Sequence, residues 1–128
     1  MAATMVFQTT TIDSLRSQLG DRGSEFVTGL IDLYLVQARD LVAQMESAGA
    51  ASDLISLQAV AHKLKGSTAT LGGERLAAAC QRIETVPFVT LDVDDALREV
   101  RGEFEQLAAE LVAYRSTLPG KPGSSEAV

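Results

Sequence analysis

Residues 54–85 read LISLQAVAHKLKGSTATLGGERLAAACQRIET, two helical patterns separated by the glycine pair Gly72-Gly73. Apolar and small residues recur every three or four positions in each half, which is the spacing of an amphipathic helix. A glycine pair at this point favours a left-handed C-cap, so we expect the first helix to end there. The predicted inward positions are Leu54, Leu57, Ala61, Leu64, Thr68 and Leu71, followed by Leu76, Ala79, Cys80 and Ile83. The stretch therefore predicts an antiparallel helical hairpin.

Helical patterns also flank this hairpin. A short helix is predicted over 11–20, a long one over 21–48 and a last one over 92–118, while Ser52-Asp53 can cap the first helix of the hairpin. The segment 30–36 is apolar on nearly all sides, which indicates cover on two sides. The apolar residues at helical spacing are Ile12, Leu15 and Leu19 in the short helix, Phe26, Leu30, Tyr34, Leu41 and Met45 in the long one, and Leu97, Val100, Phe104, Leu107, Leu111 and Tyr114 in the last.

These elements predict an all-α fold, an antiparallel up-and-down four-helix bundle with a short additional N-terminal helix. The bundle is expected to occupy residues 11–118. Residues 1–10 show no clear period and are expected to be poorly ordered. The tail at 119–128 is rich in Pro, Gly and Ser, so we expect it to be disordered.

Composition limits the function. The 128 residues carry a net charge of −6, which argues against nucleic-acid binding, since that requires a basic surface. The single cysteine cannot form an internal disulfide. No apolar run is long enough to cross a membrane and the start lacks a basic signal-peptide region, so we expect a cytoplasmic protein. The initial Met1 favours a free-standing one.

The only histidine, His62, is adjacent to the predicted buried stripe of its helix. Lys65 and Gly66 follow at offsets that share its face. Glycine in a helix interior costs roughly 1 kcal/mol relative to alanine, so Gly66 needs a reason other than helix stability. The same face carries Gln58, Ala59 and Ala69, and its alanine and glycine residues leave room for a second protein surface. An accessible imidazole next to a cation is suited to phosphoryl transfer, although a partly buried histidine with satisfied nitrogens is the commoner fate of this residue type.

The register of the predicted hairpin suggests a partner for the ring. With Gly72-Gly73 as the turn, His62 lies opposite Glu84 and Gly66 lies opposite Cys80. A carboxylate that accepts a hydrogen bond from Nδ1–H would fix one tautomer and leave the lone pair on Nε2. An ordinary exposed helix glutamate is the alternative for Glu84. Cys80 is expected to be a buried small apolar residue.

The pattern His62-x-Leu64-Lys65-Gly66-Ser67-x-x-x-Leu71-Gly72, followed by Leu76, Cys80 and Glu84, resembles the histidine-containing phosphotransfer (HPt) domain of multistep phosphorelays. The resemblance implies that His62 is phosphorylated, that Lys65 assists the phosphoryl group and that Gly66 gives the partner room. Members of that family often carry Gln where this chain has Glu84.

The resemblance also implies the partners: receiver domains of response regulators or hybrid histidine kinases. His62 would accept a phosphoryl group from an aspartyl phosphate and pass it to another receiver. The chain itself is expected to bind no cofactor or metal and to lack ATP-dependent kinase activity, with Mg²⁺ supplied by the receiver. We expect a monomer whose partner surface includes Ala59, Lys63, Ala69 and exposed apolar residues among 12–31.

Two alternatives remain at the level of sequence. One is a dimerising phosphoacceptor fragment of a sensor kinase, although such fragments usually show an acidic residue directly after the histidine, where this chain has Lys63. The other is a non-catalytic helical adaptor whose histidine is incidental.

Overall fold

The computed structural model describes residues 9–118, and this part of the chain contains five α-helices. They are α1 (Thr9–Leu19), α2 (Gly23–Ala50), α3 (Leu54–Thr70), α4 (Glu74–Thr85) and α5 (Val93–Ser116). A 3-10 turn at Gly20–Arg22 joins α1 to α2. The N-terminal segment 1–10 and the tail 119–128 fall outside the described residues, apart from residues 9 and 10, which belong to α1. The predicted all-helical bundle is confirmed.

The helices α2, α3, α4 and α5 form the bundle, and each packs against its neighbours in chain order, with α5 closing the ring against α2. The helix α3 therefore lies diagonally across from α5, and α1 packs on the outside of α2. Burial of one apolar face per helix stabilises this arrangement. The largest fully buried side chains are Ile12, Ile31, Met45, Leu57, Leu64, Leu76, Ile83, Phe104, Leu107 and Leu111.

The turn between α3 and α4 depends on its two glycines. Gly72 has a φ of +84°, the left-handed conformation predicted for the C-cap. A Cβ on Gly73 would lie 2.7 Å from Thr68 Cγ2 and 2.9 Å from Leu107 Cδ2, so the backbone approaches the core closely at that point. The predicted cap at the start of α3 is also present, because Asp53 Oδ1 accepts a hydrogen bond from the Ser56 amide at 3.1 Å. These features set the hairpin register that places the site.

The buried face of α2 differs from the predicted one. Its buried residues are Gly23, Val27, Ile31, Tyr34, Ala38, Val42, Met45 and Ala48. Phe26 is 49% exposed, and Leu30 and Leu41 lie only at the edge of the core. Tyr34 and Met45 are buried as predicted. The prediction failed at the other three positions because this helix is apolar on several sides, which allows more than one inward face. The expected cover of 30–36 on two sides is also wrong, since Leu33 is 55% and Val36 70% exposed.

In α1, Ile12 is buried as predicted, whereas Leu19 is exposed at the point where the helix gives way to the 3-10 turn. The predicted faces of α3, α4 and α5 agree with the structure, apart from Leu54, Leu97 and Tyr114 at the rim of the core. The one buried polar side chain among the described residues, Thr68, is hydrogen-bonded to the hydroxyl of Tyr34 at 2.6 Å.

Candidate functional site

His62 lies on the outer face of α3, and its side chain is 70% exposed. Its neighbours Ala61 and Leu64 are fully buried, so the helix itself is held firmly while the ring points outward. A residue advances about 100° around a helix, and that rotation carries position 62 out of the buried stripe. The structure therefore presents a nucleophilic side chain on a rigid element, open to the surroundings.

Glu84 of α4 is hydrogen-bonded to the His62 ring. Its Oε2 lies 2.7 Å from His62 Nδ1, the contact that the hairpin register predicts. An ionised carboxylate can only accept, so Nδ1 carries the hydrogen of this bond. In the neutral ring the lone pair is then on Nε2, which has no hydrogen-bond partner within residues 9–118. The arrangement fixes the tautomer that a nucleophilic Nε2 requires.

The Glu84 carboxylate is kept in its charged form. Burial, which leaves the side chain 19% exposed, raises its pKa, but the hydrogen bonds and charge of Lys65 and His62 outweigh that effect. The net result is a pKa below the usual value for glutamate. The acceptor for Nδ1–H is therefore an anion at neutral pH.

Lys65 forms an ion pair with the same carboxylate. Its Nζ lies 2.7 Å from Glu84 Oε1 and donates to Gln81 Oε1 at 2.9 Å, and the side chain is 28% exposed. Each carboxylate oxygen of Glu84 thus holds one group, the ring on Oε2 and the ammonium on Oε1. Sequence reasoning missed Gln81, although the register that pairs His62 with Glu84 also pairs Lys65 with residue 81.

Gln58, predicted to face a partner, makes contacts within the chain. Its Nε2 donates to the backbone carbonyl of Glu84 at 3.0 Å. That carbonyl belongs to the last turn of α4, where backbone acceptors lack helical donors. Gln58 therefore ties the end of α4 to α3 one helical turn before His62.

Gly66 lies at the edge of a groove between α3 and α4. A Cβ added there would meet nothing within 4 Å, so packing inside the domain does not require glycine at this position. The groove measures about 490 Å³ and is lined by Lys65, Gly66, Ala69, Glu74, Ala77, Ala78 and Gln81. Its floor consists mainly of small side chains, which allow close approach by another surface.

Cys80 is a buried small apolar residue, as predicted. Cys80 lies on the inward face of α4 together with Leu76 and Ile83 and is fully buried. The register places it at the right level, but rotation around α4 turns Ala77 and Ala78 toward the groove instead. Burial raises the pKa of the Cys80 thiol to about 12, so it stays protonated and unreactive.

The other predicted partner residues Ala59, Lys63 and Ala69 are all exposed around His62. Lys63 lies on the side toward α2, where it lines a shallow hollow with Gln37, Asp40, Leu41 and Ser67. A second hollow of about 210 Å³ adjoins it and is lined by Leu30, Leu33, Tyr34, Gln37, Ser67, Thr70 and Leu71. Both hollows lie between α2 and the side of α3 that carries Lys63, Ser67 and Thr70, next to the face with the histidine.

An exposed apolar stripe runs along α2 next to these hollows. We call Phe26, Leu33 and Val36 the α2 stripe; they are 49%, 55% and 70% exposed. The sequence range expected to supply partner contacts, 12–31, ends before Leu33 and Val36. The apolar character of 30–36 on nearly all sides is the sequence signal for this exposed stripe, but the same pattern also predicts cover on two sides.

The profile of the Hpt domain family matches residues 29–117, well over half of the chain. The chain belongs to the Hpt domain family. The match covers all the contacts described around His62. It also covers the groove, both hollows, and Leu33 and Val36 of the α2 stripe.

Relatives of this Hpt domain are named for phosphorelays. The chain is 30% identical over 101 residues to "Multistep phosphorelay regulator 1" of Schizosaccharomyces pombe and 38% identical over 69 residues to "Phosphorelay intermediate protein YPD1" of Saccharomyces cerevisiae. These alignments include 79% and 53% of this chain. The chain spans only 33% of the first relative's length and 41% of the second's.

Solved structures share the fold of this Hpt domain. The crystal structure of histidine-containing phosphotransfer protein B from Pseudomonas aeruginosa superposes with a TM-score of 0.79 at 18% identity, covering 91% of this chain and all of the other. The crystal structure of YPD1p superposes with a TM-score of 0.72 at 24% identity, covering 89% of this chain and 96% of that one. The predicted resemblance to HPt domains is confirmed.

Among the described residues of this Hpt domain, no helix combines the length and apolarity needed to cross a membrane. Over the same residues, no cluster of three or more His, Cys, Asp or Glu side chains is placed to hold a metal ion.

Proposed function

We propose that this Hpt domain is a phosphorelay intermediate that accepts a phosphoryl group on His62 from the aspartyl phosphate of one receiver domain and passes it to the aspartate of another. The single observation that carries the proposal is the exposed His62 ring whose Nδ1–H is held by Glu84, in a chain of this family. The names of its phosphorelay relatives support the same assignment.

The chemical step is an in-line displacement at phosphorus. The Nε2 lone pair of His62 forms the new N–P bond while the P–O bond to the receiver aspartate breaks, and the bonding pair leaves with the aspartate oxygen as a carboxylate. No proton needs to move if the ring keeps its Nδ1 hydrogen, so the phosphorylated ring carries a positive charge. The Glu84 carboxylate lies against that hydrogen and stabilises the charge. The reverse step regenerates the neutral ring.

The receiver domain supplies the rest of the site. Its aspartate is the donor or acceptor, and its Mg²⁺ would neutralise charge on the phosphoryl oxygens. This chain contributes a positioned nucleophile and the small-residue groove beside it, so we propose a phosphocarrier without ATP-dependent kinase activity. We further propose that it acts as a monomer in the cytoplasm and binds no nucleic acid.

The receiver docks, we propose, across α2, α3 and the edge of α4. A protein partner of ordinary size covers about 800 Å² of each surface, a patch roughly 30 Å across. A patch centred on His62 includes Gly66 and the floor of the α3–α4 groove on one side, and the two hollows with Leu33 and Val36 of the α2 stripe on the other. Small residues near the ring permit close approach, and the larger apolar side chains of α2 contribute burial at the edge.

Label transfer from a receiver tests the function. Receiver domains of the source organism, each charged with radiolabelled acetyl phosphate, are mixed with the wild-type chain and with the His62→Gln variant. We expect acid-labile, base-stable label on the wild type only, and His62 is the sole histidine that could carry it. Equal labelling of the variant, or no labelling of the wild type by any receiver, would contradict the proposal. Gel filtration of the chain is expected to give a monomer, and an obligate dimer would favour a sensor-kinase fragment.

A further inference from the structure

We propose that Glu84 and Lys65 act as one net-neutral unit, and that Lys65 enables phosphorylation of His62 chiefly by cancelling the charge of Glu84. The proposal rests on the proposed function of His62 and concerns how its site tolerates a carboxylate. It differs from the role that the sequence resemblance implies, in which Lys65 assists the phosphoryl group directly.

The carboxylate presents an electrostatic problem. Glu84 Oε2 is 2.7 Å from Nδ1, and the incoming phosphoryl group attaches to the other nitrogen of the same ring. A dianionic group is thereby brought within several ångströms of an anion that is only 19% exposed and weakly screened by solvent. An amide at this position would accept the same hydrogen bond without that repulsion.

The structure shows where the compensating charge lies. Lys65 Nζ is 2.7 Å from Glu84 Oε1, the oxygen that the ring does not use. Gln81 Oε1 accepts a hydrogen bond from the same ammonium at 2.9 Å. The ammonium is therefore held between the Glu84 carboxylate and Gln81 on α4 rather than extended over the ring. Lys65 has further N–H donors, and the competing role is that one of them acts directly on a phosphoryl oxygen.

The two roles predict opposite couplings between the residues. If Lys65 neutralises Glu84, its removal is harmful only while the carboxylate is present. If Lys65 binds the phosphoryl group directly, its removal is at least as harmful when residue 84 is an amide, because Glu84 no longer competes for the ammonium. A double-mutant cycle separates these cases.

The cycle compares the wild type, Lys65→Met, Glu84→Gln and the double variant, with phosphoramidate as the phosphoryl donor. In this reaction the P–N bond of the donor breaks, ammonia leaves, and Nε2 of His62 forms the new bond to phosphorus. The rate is followed by intact mass. We expect Lys65→Met to slow phosphorylation at least about tenfold in the wild-type background and less than about threefold in the Glu84→Gln background.

Salt gives a second readout that a merely structural role would not move. NaCl at about 1 M, where the Debye length falls to about 3 Å, screens part of the repulsion between Glu84 and the phosphoryl group. It should therefore recover part of the rate lost in Lys65→Met and change the rate of the double variant by the same factor as that of the wild type. Arg75→Met is the matched control, because it breaks another α4 ion pair, Arg75–Glu103, at 3.0 Å. It is expected to phosphorylate at the wild-type rate, and thermal unfolding checks that every variant is folded.

Equal costs of Lys65→Met in the two backgrounds, or a larger cost beside Gln, would overturn the proposal and assign Lys65 to the phosphoryl group. The donor is a small molecule, so the cycle does not depend on a receiver. A wild type that phosphoramidate labels but no receiver labels would refute the relay function and still decide the coupling. A wild type that acquires no phosphoryl group on His62 would overturn both.

Discussion

Oε2 of Glu84 lies 2.7 Å from Nδ1 of His62 and joins α4 to the exposed face of α3. This hydrogen bond decides which ring nitrogen can act as the nucleophile. At metal sites, loss of the residue that orients a histidine through its second nitrogen typically costs 10- to 100-fold, and we expect an effect at the lower end of that range for a nucleophilic histidine.

Glu84→Ala should therefore slow phosphorylation of His62 by phosphoramidate about tenfold, because the ring loses the acceptor that fixes its tautomer. Nitrogen NMR of the ring should show a mixture of tautomers in the variant and mainly the Nδ1–H form in the wild type. Glu103→Ala is the control, since Glu103 is 18% exposed and forms an ion pair on α5, away from the ring. An unchanged tautomer in Glu84→Ala would show that the carboxylate does not orient the imidazole.

Gly66→Gln should reduce transfer from a phosphorylated receiver more than about tenfold while the helical circular dichroism signal is retained, because the added side chain fills the approach to His62. Gly102→Gln is matched to it: Gly102 also lies in a helix interior where a Cβ meets nothing within 4 Å, but it is on α5. Both Gly→Ala variants should raise the free energy of unfolding by up to about 1 kcal/mol. Equal transfer rates for the two Gln variants would refute steric clearance at Gly66.

Leu33→Glu should raise the receiver concentration required for half-maximal transfer about tenfold, since the α2 stripe would lose apolar burial and gain a charge at the interface. Phosphorylation by phosphoramidate should stay at the wild-type rate, because that donor needs no docking surface. Val112→Glu places the same charge on α5 at another exposed apolar position. If it impairs transfer as much as Leu33→Glu does, docking is not confined to the α2 side.

Acid should weaken the fold through Glu84. Its pKa is lower in the folded protein than its usual value of about 4.3, so the unfolded chain binds the proton more readily. The stabilisation is complete above about pH 5 and is lost as pH falls through the folded pKa.

Urea unfolding at pH 7 and pH 3 measures this loss. Between these two pH values the free energy of unfolding should decrease less for Glu84→Gln than for the wild type, by on the order of 1 kcal/mol or less. Asp53, whose pKa is lowered by its hydrogen bonds with Ser56, contributes equally to both proteins. Identical pH dependence of the two proteins would show that Glu84 has no such linkage.

Sequence reasoning was most successful where the pattern had only one solution. The stripe on α5 and the Gly72-Gly73 turn each allow one arrangement, and together they fix the hairpin register that brings Glu84 to His62. The face of α2 was mispredicted because Phe26, Leu30 and Val27 are all apolar, and only contact with α3 and α5 selects among them. The hydrogen bond from Lys65 to Gln81 was missed. The hairpin register places residue 81 opposite Lys65, but it does not determine the rotamer of the lysine.

Gly66 leaves open space where alanine would strengthen the helix, and the groove beside it is lined with alanines. Glycine and alanine side chains next to the nucleophile make few contacts that could distinguish one receiver domain from another. Discrimination must then come from the periphery, above all from the larger side chains of α2. The receiver choice of the proposed carrier should therefore change with substitutions on that helix alone, with the reactive centre left intact.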